Sequence, residues 1–104
     1  MTMKDLMKNS PESLRAIQEQ MIIRGNMVAA VGIDYILEFA NKRVKVIKGR
    51  KVPIGTEGIC FWLGSTCYGK YGDPWGIYTR FRCGIRDDSG EVHWTAIDNI
   101  AIAE

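Results

Sequence analysis

Ile77-Tyr78-Thr79-Arg80-Phe81-Arg82-Cys83-Gly84-Ile85-Arg86-Asp87-Asp88-Ser89-Gly90-Glu91-Val92-His93-Trp94-Thr95 reads as two extended segments joined by a tight turn. In the first segment Ile77, Thr79, Phe81, Cys83 and Ile85 fall on one face of an extended chain. Tyr78, Arg80, Arg82, Gly84 and Arg86 fall on the other. Asp87-Asp88-Ser89-Gly90 is turn chemistry, with aspartates for local hydrogen bonding and a glycine for positive φ. Glu91 to Thr95 then returns as a partner strand, with Val92 and Trp94 sharing a face.

Outward from this hairpin the chain continues in short strands. Ala96 to Asn99 reads as one helical turn and Ile100-Ala101-Ile102 as a last strand. Upstream, Arg43-Val44-Lys45-Val46-Ile47-Lys48 alternates with a β-branched face and predicts a strand. A loop follows from Gly49 to Gly55, then a short apolar strand, Ile59 to Leu63. A long loop from Gly64 to Gly76 is punctuated by Gly69, Gly72 and Pro74. Strand, loop, strand, long loop, strand, tight turn, strand, helical turn, strand is the order of a five-stranded SH3-like barrel over residues 43–102. Closure of such a sheet removes its exposed edges.

The first 41 residues have a different period. Residues 1–9 show weak patterning and are expected to be frayed. Ser10-Pro11-Glu12 is a helix start: an N-cap serine, proline at the first helical position and a carboxylate at the positive end of the dipole. Leu14, Ile17, Met21, Val28, Val31, Tyr35 and Phe39 recur in steps of three and four. Gly25-Asn26 is suited to a C-terminal cap, yet the stripe keeps phase across it, so residues 10–41 form either one kinked helix or a helical hairpin. Residues 27–40 are apolar beyond a single stripe and require cover on more than one side, from the barrel or from a second copy in a homodimer. The fold expected is therefore mainly β, with an N-terminal helical arm.

A chain of 104 residues holds one modest core and no cleft between two domains. Its net charge of +2 is unevenly spread. Lys42, Arg43, Lys45, Lys48, Arg50 and Lys51 crowd one short run, while residues 1–41 are slightly acidic. The 3 cysteines have no framework spacing, which points to a reducing, cytoplasmic setting. No apolar run has the length of a membrane span, and no series resembles a signal peptide.

Val44-Lys45-Val46-Ile47-Lys48-Gly49, followed by Gly55-Thr56-Glu57-Gly58-Ile59, resembles the KOW motif of ribosomal and transcription-elongation proteins. There a strand ends at a glycine and a Gly-x-x-Gly turn leads into the next strand. The spacer from Gly49 to Gly55 is longer than the family's, and Ile54 stands where lysine is common. Gly49 to Thr56 and Trp94 to Ile100 are also similar to small bacterial and phage KOW-like proteins. The resemblance implies an SH3-like fold that binds RNA, RNA polymerase, ribosomal elements or peptides, and implies no reaction.

Two groups of residues are candidates for binding. Arg43, Lys45, Lys48, Arg50 and Lys51, with Arg80 and Arg82 on the long strand, could neutralise phosphates of a nucleic acid or ribonucleoprotein. Against this stands the simpler role of lysines that guard an edge strand and arginines on a solvent face. Tyr68, Lys70, Tyr71, Trp75 and Tyr78 form an aromatic, glycine-rich interaction loop suited to a nucleic acid or to a protein partner. A protein-interaction module of the adaptor or phage-inhibitor kind, using this loop and the helix, is the alternative. Cys60, Cys67, Cys83 and His93 lack the knuckle spacing of a zinc site. Nothing orients His93 or Asp87-Asp88 for catalysis, so no enzyme, metal or cofactor is expected.

Overall fold

The computed structural model describes residues 3–67 and 79–103. Three helices, α1 (Met3–Leu6), α2 (Pro11–Ile23) and α3 (Met27–Phe39), precede five strands. These are β1 (Arg43–Val46), β2 (Glu57–Cys67), β3 (Thr79–Arg86), β4 (Val92–Ala96) and β5 (Ile100–Ile102), with a 3-10 turn at Ile97–Asn99 before β5. The strands form an antiparallel sheet in the order β4-β3-β2-β1-β5. Its two end strands, β4 and β5, are not paired to each other among the described residues, so the sheet is open and mixed with helices rather than closed.

The helical segment resolves into a hairpin. Ser10 caps α2 by accepting from the Ser13 N–H at 3.2 Å, and Pro11 takes the first helical position. At the other end Gly25 donates to the Ile22 carbonyl and Asn26 to the Met21 carbonyl, at 3.0 and 2.8 Å. That double bond pattern, with Gly25 at φ 77°, is a Schellman stop. Asn26 then caps α3 through the Ala29 N–H at 3.2 Å, so one dipeptide ends a helix and begins the next. Between α2 and α3 the buried Gln18 donates to the Ala30 carbonyl (2.8 Å) and to Asp34 (2.9 Å), while Arg15 bridges Gln18 and Asp34.

Residues 27–40 obtain their cover within the chain. Ile33, Ile36 and Phe39 join Leu6 and Leu14 against the inner face of the sheet, where Val44, Val46, Cys60, Leu63, Cys83, Ile85, Ile97 and Ile100 are buried in one cluster. Helices and sheet therefore share a single core, with Met27 and Val31 left at the surface. The start of the chain differs from expectation: residues 3–6 are helical rather than frayed, because Leu6 is drawn into that core. A four-residue helix has no propensity signal of its own, and only tertiary burial holds it.

The strands follow the expected order with shifted ends. β1 stops at Val46, since Gly49, at φ 113°, already turns the chain against the Asn99 side chain. β2 runs on to Cys67, so Gly64 to Cys67 is strand and not the beginning of a loop; it pairs residue by residue with β3 from Gly64↔Arg82 to Cys67↔Thr79. In the Gly-x-x-Gly turn Gly55 supplies a positive φ of 98° and Gly58 a close approach. A Cβ on Gly58 would collide with the Arg86 carbonyl oxygen and lie 2.7 Å from that carbonyl's carbon and 2.8 Å from Ile85 Cγ2. Backbone cannot swing aside as a side-chain tip can, so Gly58→Ala is expected to lower the unfolding free energy by about 3 kcal/mol. Urea denaturation measures this; a loss below about 1 kcal/mol would contradict the packing of β3 against Gly58.

Candidate functional site

Across β2 and β3 the pairing slips at one point. Cys60 faces Ile85 and Leu63 faces Cys83, so the two residues Phe61 and Trp62 stand against Gly84 alone. This is a β-bulge, and it sends two consecutive aromatic side chains to the outer face of the sheet. Trp94 of β4 lies on the other side of Gly84 and meets both, at 5.7 Å from Phe61 and 5.3 Å from Trp62, each in an edge-to-face arrangement. The rings settle where glycines leave room. A Cβ on Gly84 would be 2.7 Å from Trp94 Cζ3 and 3.1 Å from Phe61, and one on Gly64 would collide with the Trp62 indole.

Cross-strand register places cations on either side of these rings. Arg43, Ile59, Arg86 and Val92 form one row on the outer face; Trp62, Gly84 and Trp94 form the next; Gly64, Arg82 and Ala96 the third. The Arg86 guanidinium sits over the Phe61 ring, 4.8 Å from its centroid. Among the described residues neither Arg82 nor Arg86 forms an ion pair. Trp94 is 48% exposed and Ile59 40%, while Phe61 and Trp62 are half-buried, so the patch opens to solvent chiefly at Trp94.

The basic run is split in its chemistry. Arg43 is engaged: its guanidinium takes both oxygens of Asp88 at 3.1 Å and reaches Glu57 at 3.4 Å, and it holds the Asp88 carboxyl below its ordinary range. That leaves Arg43 the weakest of the cations proposed for phosphate contact. Lys42 donates to the Leu37 carbonyl at the end of α3. Lys45 is exposed on the outer face opposite Glu57 and Ala101. Lys48, Arg50 and Lys51 are exposed on a loop pinned at its base, where Val46 exchanges hydrogen bonds with Gly55 and Thr56 and Val52 is buried. Arg80 lies on the exposed face opposite Thr66. The proposed loop residues Tyr68, Lys70, Tyr71, Trp75 and Tyr78 lie outside the described residues.

The sulfur and imidazole groups separate. Cys60 and Cys83 meet in the core, where the neighbouring Cys60 and burial push the Cys83 thiol up, so it stays protonated. His93 instead faces Asp87, with Nε2 2.8 Å from Oδ2. Asp87 Oδ1 accepts from the Ser89 hydroxyl (2.6 Å), the Ser89 N–H (2.9 Å) and the Glu91 N–H (3.0 Å). Asp87, Glu91 and His93 place ligand atoms within 4.8 Å of one another, but the Asp87 carboxylate is committed to closing its own turn.

Comparison with protein families, with curated proteins and with solved structures finds no match to the chain. Sequence reasoning found Arg82 and the outward series of β3, but missed Phe61, Trp62 and Trp94. The available signal was the opposition of bulky and absent side chains: an outward glycine at 84 in the strand paired with Trp94, and a second glycine two residues after Trp62.

The Asp87 turn has a pH signature. The Ser89 hydroxyl and His93 lower its carboxyl to about 2, against about 3.9 in an unfolded chain. A depressed folded value contributes stability above the unfolded value, and the contribution fades as pH falls from about 4 to about 2. Asp87→Asn is expected to flatten that acid limb in a series of thermal midpoints. An unchanged limb would mean that the turn does not hold the carboxylate ionised.

Proposed function

We propose that the chain is a non-catalytic, cytoplasmic binding module of SH3-like, KOW-like type that contacts nucleic acid or a ribonucleoprotein through its basic loop. The observation that carries this reading is the loop of residues 47–56: Val52 and the Val46 bonds anchor it, while Lys48, Arg50 and Lys51 project into solvent with no carboxylate partner among the described residues. An anchored loop presents these cations to phosphates with less backbone left to order at binding. The strand order β4-β3-β2-β1-β5, with a 3-10 turn leading into β5, supports the SH3-like reading. A non-catalytic role is supported by the thiols of Cys60 and Cys83, which are buried in the core and out of reach of a substrate.

A second reading, a protein-interaction module, draws on Ile22, Ile23 and Met27, exposed together where α2 turns into α3. The two readings differ in salt response. Nucleic-acid affinity, followed by anisotropy of a labelled oligonucleotide, should fall steeply with salt. Lys48→Ala with Arg50→Ala should weaken binding and make the log–log salt slope shallower by roughly 1.5. Affinity indifferent to both changes would sink the nucleic-acid reading. A protein that co-purifies from lysate after nuclease treatment, and is lost on Ile22→Asp with Ile23→Asp, would favour the second.

A further inference from the structure

The outer face of the sheet carries more than the basic loop requires. We infer that Phe61, Trp62 and Trp94, framed by Arg82 and Arg86, form a stacking platform for unpaired bases, so that the nucleic acid bound is single-stranded. This rests on the nucleic-acid reading above and names the form of the ligand.

The argument is geometric. Arg82 and Arg86 lie four residues apart on β3, about 13 Å at the strand's rise per residue, and the aromatic row of Trp62, Gly84 and Trp94 falls midway between them. Cations thus flank the rings on both sides along one strand, the order that a backbone with a base turned inward presents. A base face is the natural partner of the exposed Trp94 indole, which the half-buried Phe61 and Trp62 buttress edge-on, and stacking tolerates any sequence. In a duplex those faces are covered by neighbouring pairs, and a sheet surface cannot reach them. The charge also fits: Arg82 and Arg86 are without carboxylate partners among the described residues, whereas Arg43, in the same row as Arg86, holds Asp88 and Glu57. Gly64 and Gly84 keep the platform low, since any side chain at either position would lift an indole from the sheet.

The test uses the full chain with oligouridylate and oligothymidylate of about twelve nucleotides, and with a duplex of the same length. Both single strands should quench tryptophan emission and bind at least about tenfold more tightly than the duplex. Trp94→Ala, at a half-exposed position, should weaken single-strand binding at least about fivefold, Trp94→Phe should restore most of it, and duplex binding should not change. Arg82→Gln with Arg86→Gln, on the rim, should act in the same direction, with thermal midpoints monitored to show that each variant is folded. Binding that stays salt-dependent but does not discriminate strand from duplex, or a folded Trp94→Ala with undiminished affinity, would overturn the platform and leave the basic-loop reading standing. No binding of any oligonucleotide at low salt would overturn both. Quenching by a proline-rich peptide but by no oligonucleotide would assign the rings to a polyproline ligand instead.

Discussion

Between Cys60 and Leu63, β2 holds Phe61 and Trp62 where β3 offers Gly84 alone, and the faces of the sheet depend on that extra residue. Strict alternation from Cys60 inward would bury Trp62 and expose Leu63. The bulge resets the parity, so Cys60 and Leu63 both reach the core and both halves of β2 bury against the helices. Burying a leucine rather than exposing it contributes about 2 kcal/mol. The reset also ties the outer face to the core: the aromatic row exists because the inner row has to be continuous.

The same parity decides what could be read from sequence. The β3–β4 hairpin was legible because its alternation is unbroken and its turn residues are specific; the Ser10 cap and the Gly25-Asn26 stop were legible as local chemistry. The length of β2 was not. Its bulge turns alternation into a continuous apolar run, and Gly64-Ser65-Thr66-Cys67 has loop composition that only pairing with residues 79–82 overrides. Helix α1 was illegible for a related reason, since Leu6 matters only once the core it enters exists. The aromatic patch required knowing on which face Phe61, Trp62 and Trp94 lie, and a bulge sets that face through register, not through residue type.

Charge counting misled in a complementary way. The run from Lys42 to Lys51 reads as a uniform cluster, but Arg43 is drawn across β2 to Asp88 at the far hairpin turn. An exposed pair of this kind is largely screened by water, yet it assigns the two aspartates of the turn to different tasks. Asp87 closes the turn from within and Asp88 links it to β1. Lys48, Arg50 and Lys51 keep no carboxylate partner among the described residues, and their positions depend on Val52 and the Val46 bonds rather than on charge density.

Stability alone accounts poorly for the outer face. A sheet with one side on a core ordinarily presents polar, β-branched residues to water. Here two outward positions, 64 and 84, are glycines, which weaken strands, and three aromatic rings occupy the space they leave. Edge-to-face contacts among the rings contribute about 1 kcal/mol each, and they explain how the rings lie against one another. They do not explain why Trp94 stays half-exposed, or why Arg82 and Arg86 flank the row without partners among the described residues. Threonine at both glycine positions would make a better strand and a worse seat for an indole. The departures from strand propensity gather on one patch, and that patch combines a half-exposed indole, Trp94, with two arginines that lack carboxylate partners among the described residues. Local preference yields there in several places at once, and the packing that the glycines permit accounts for how the rings lie but not for the strand propensity given up.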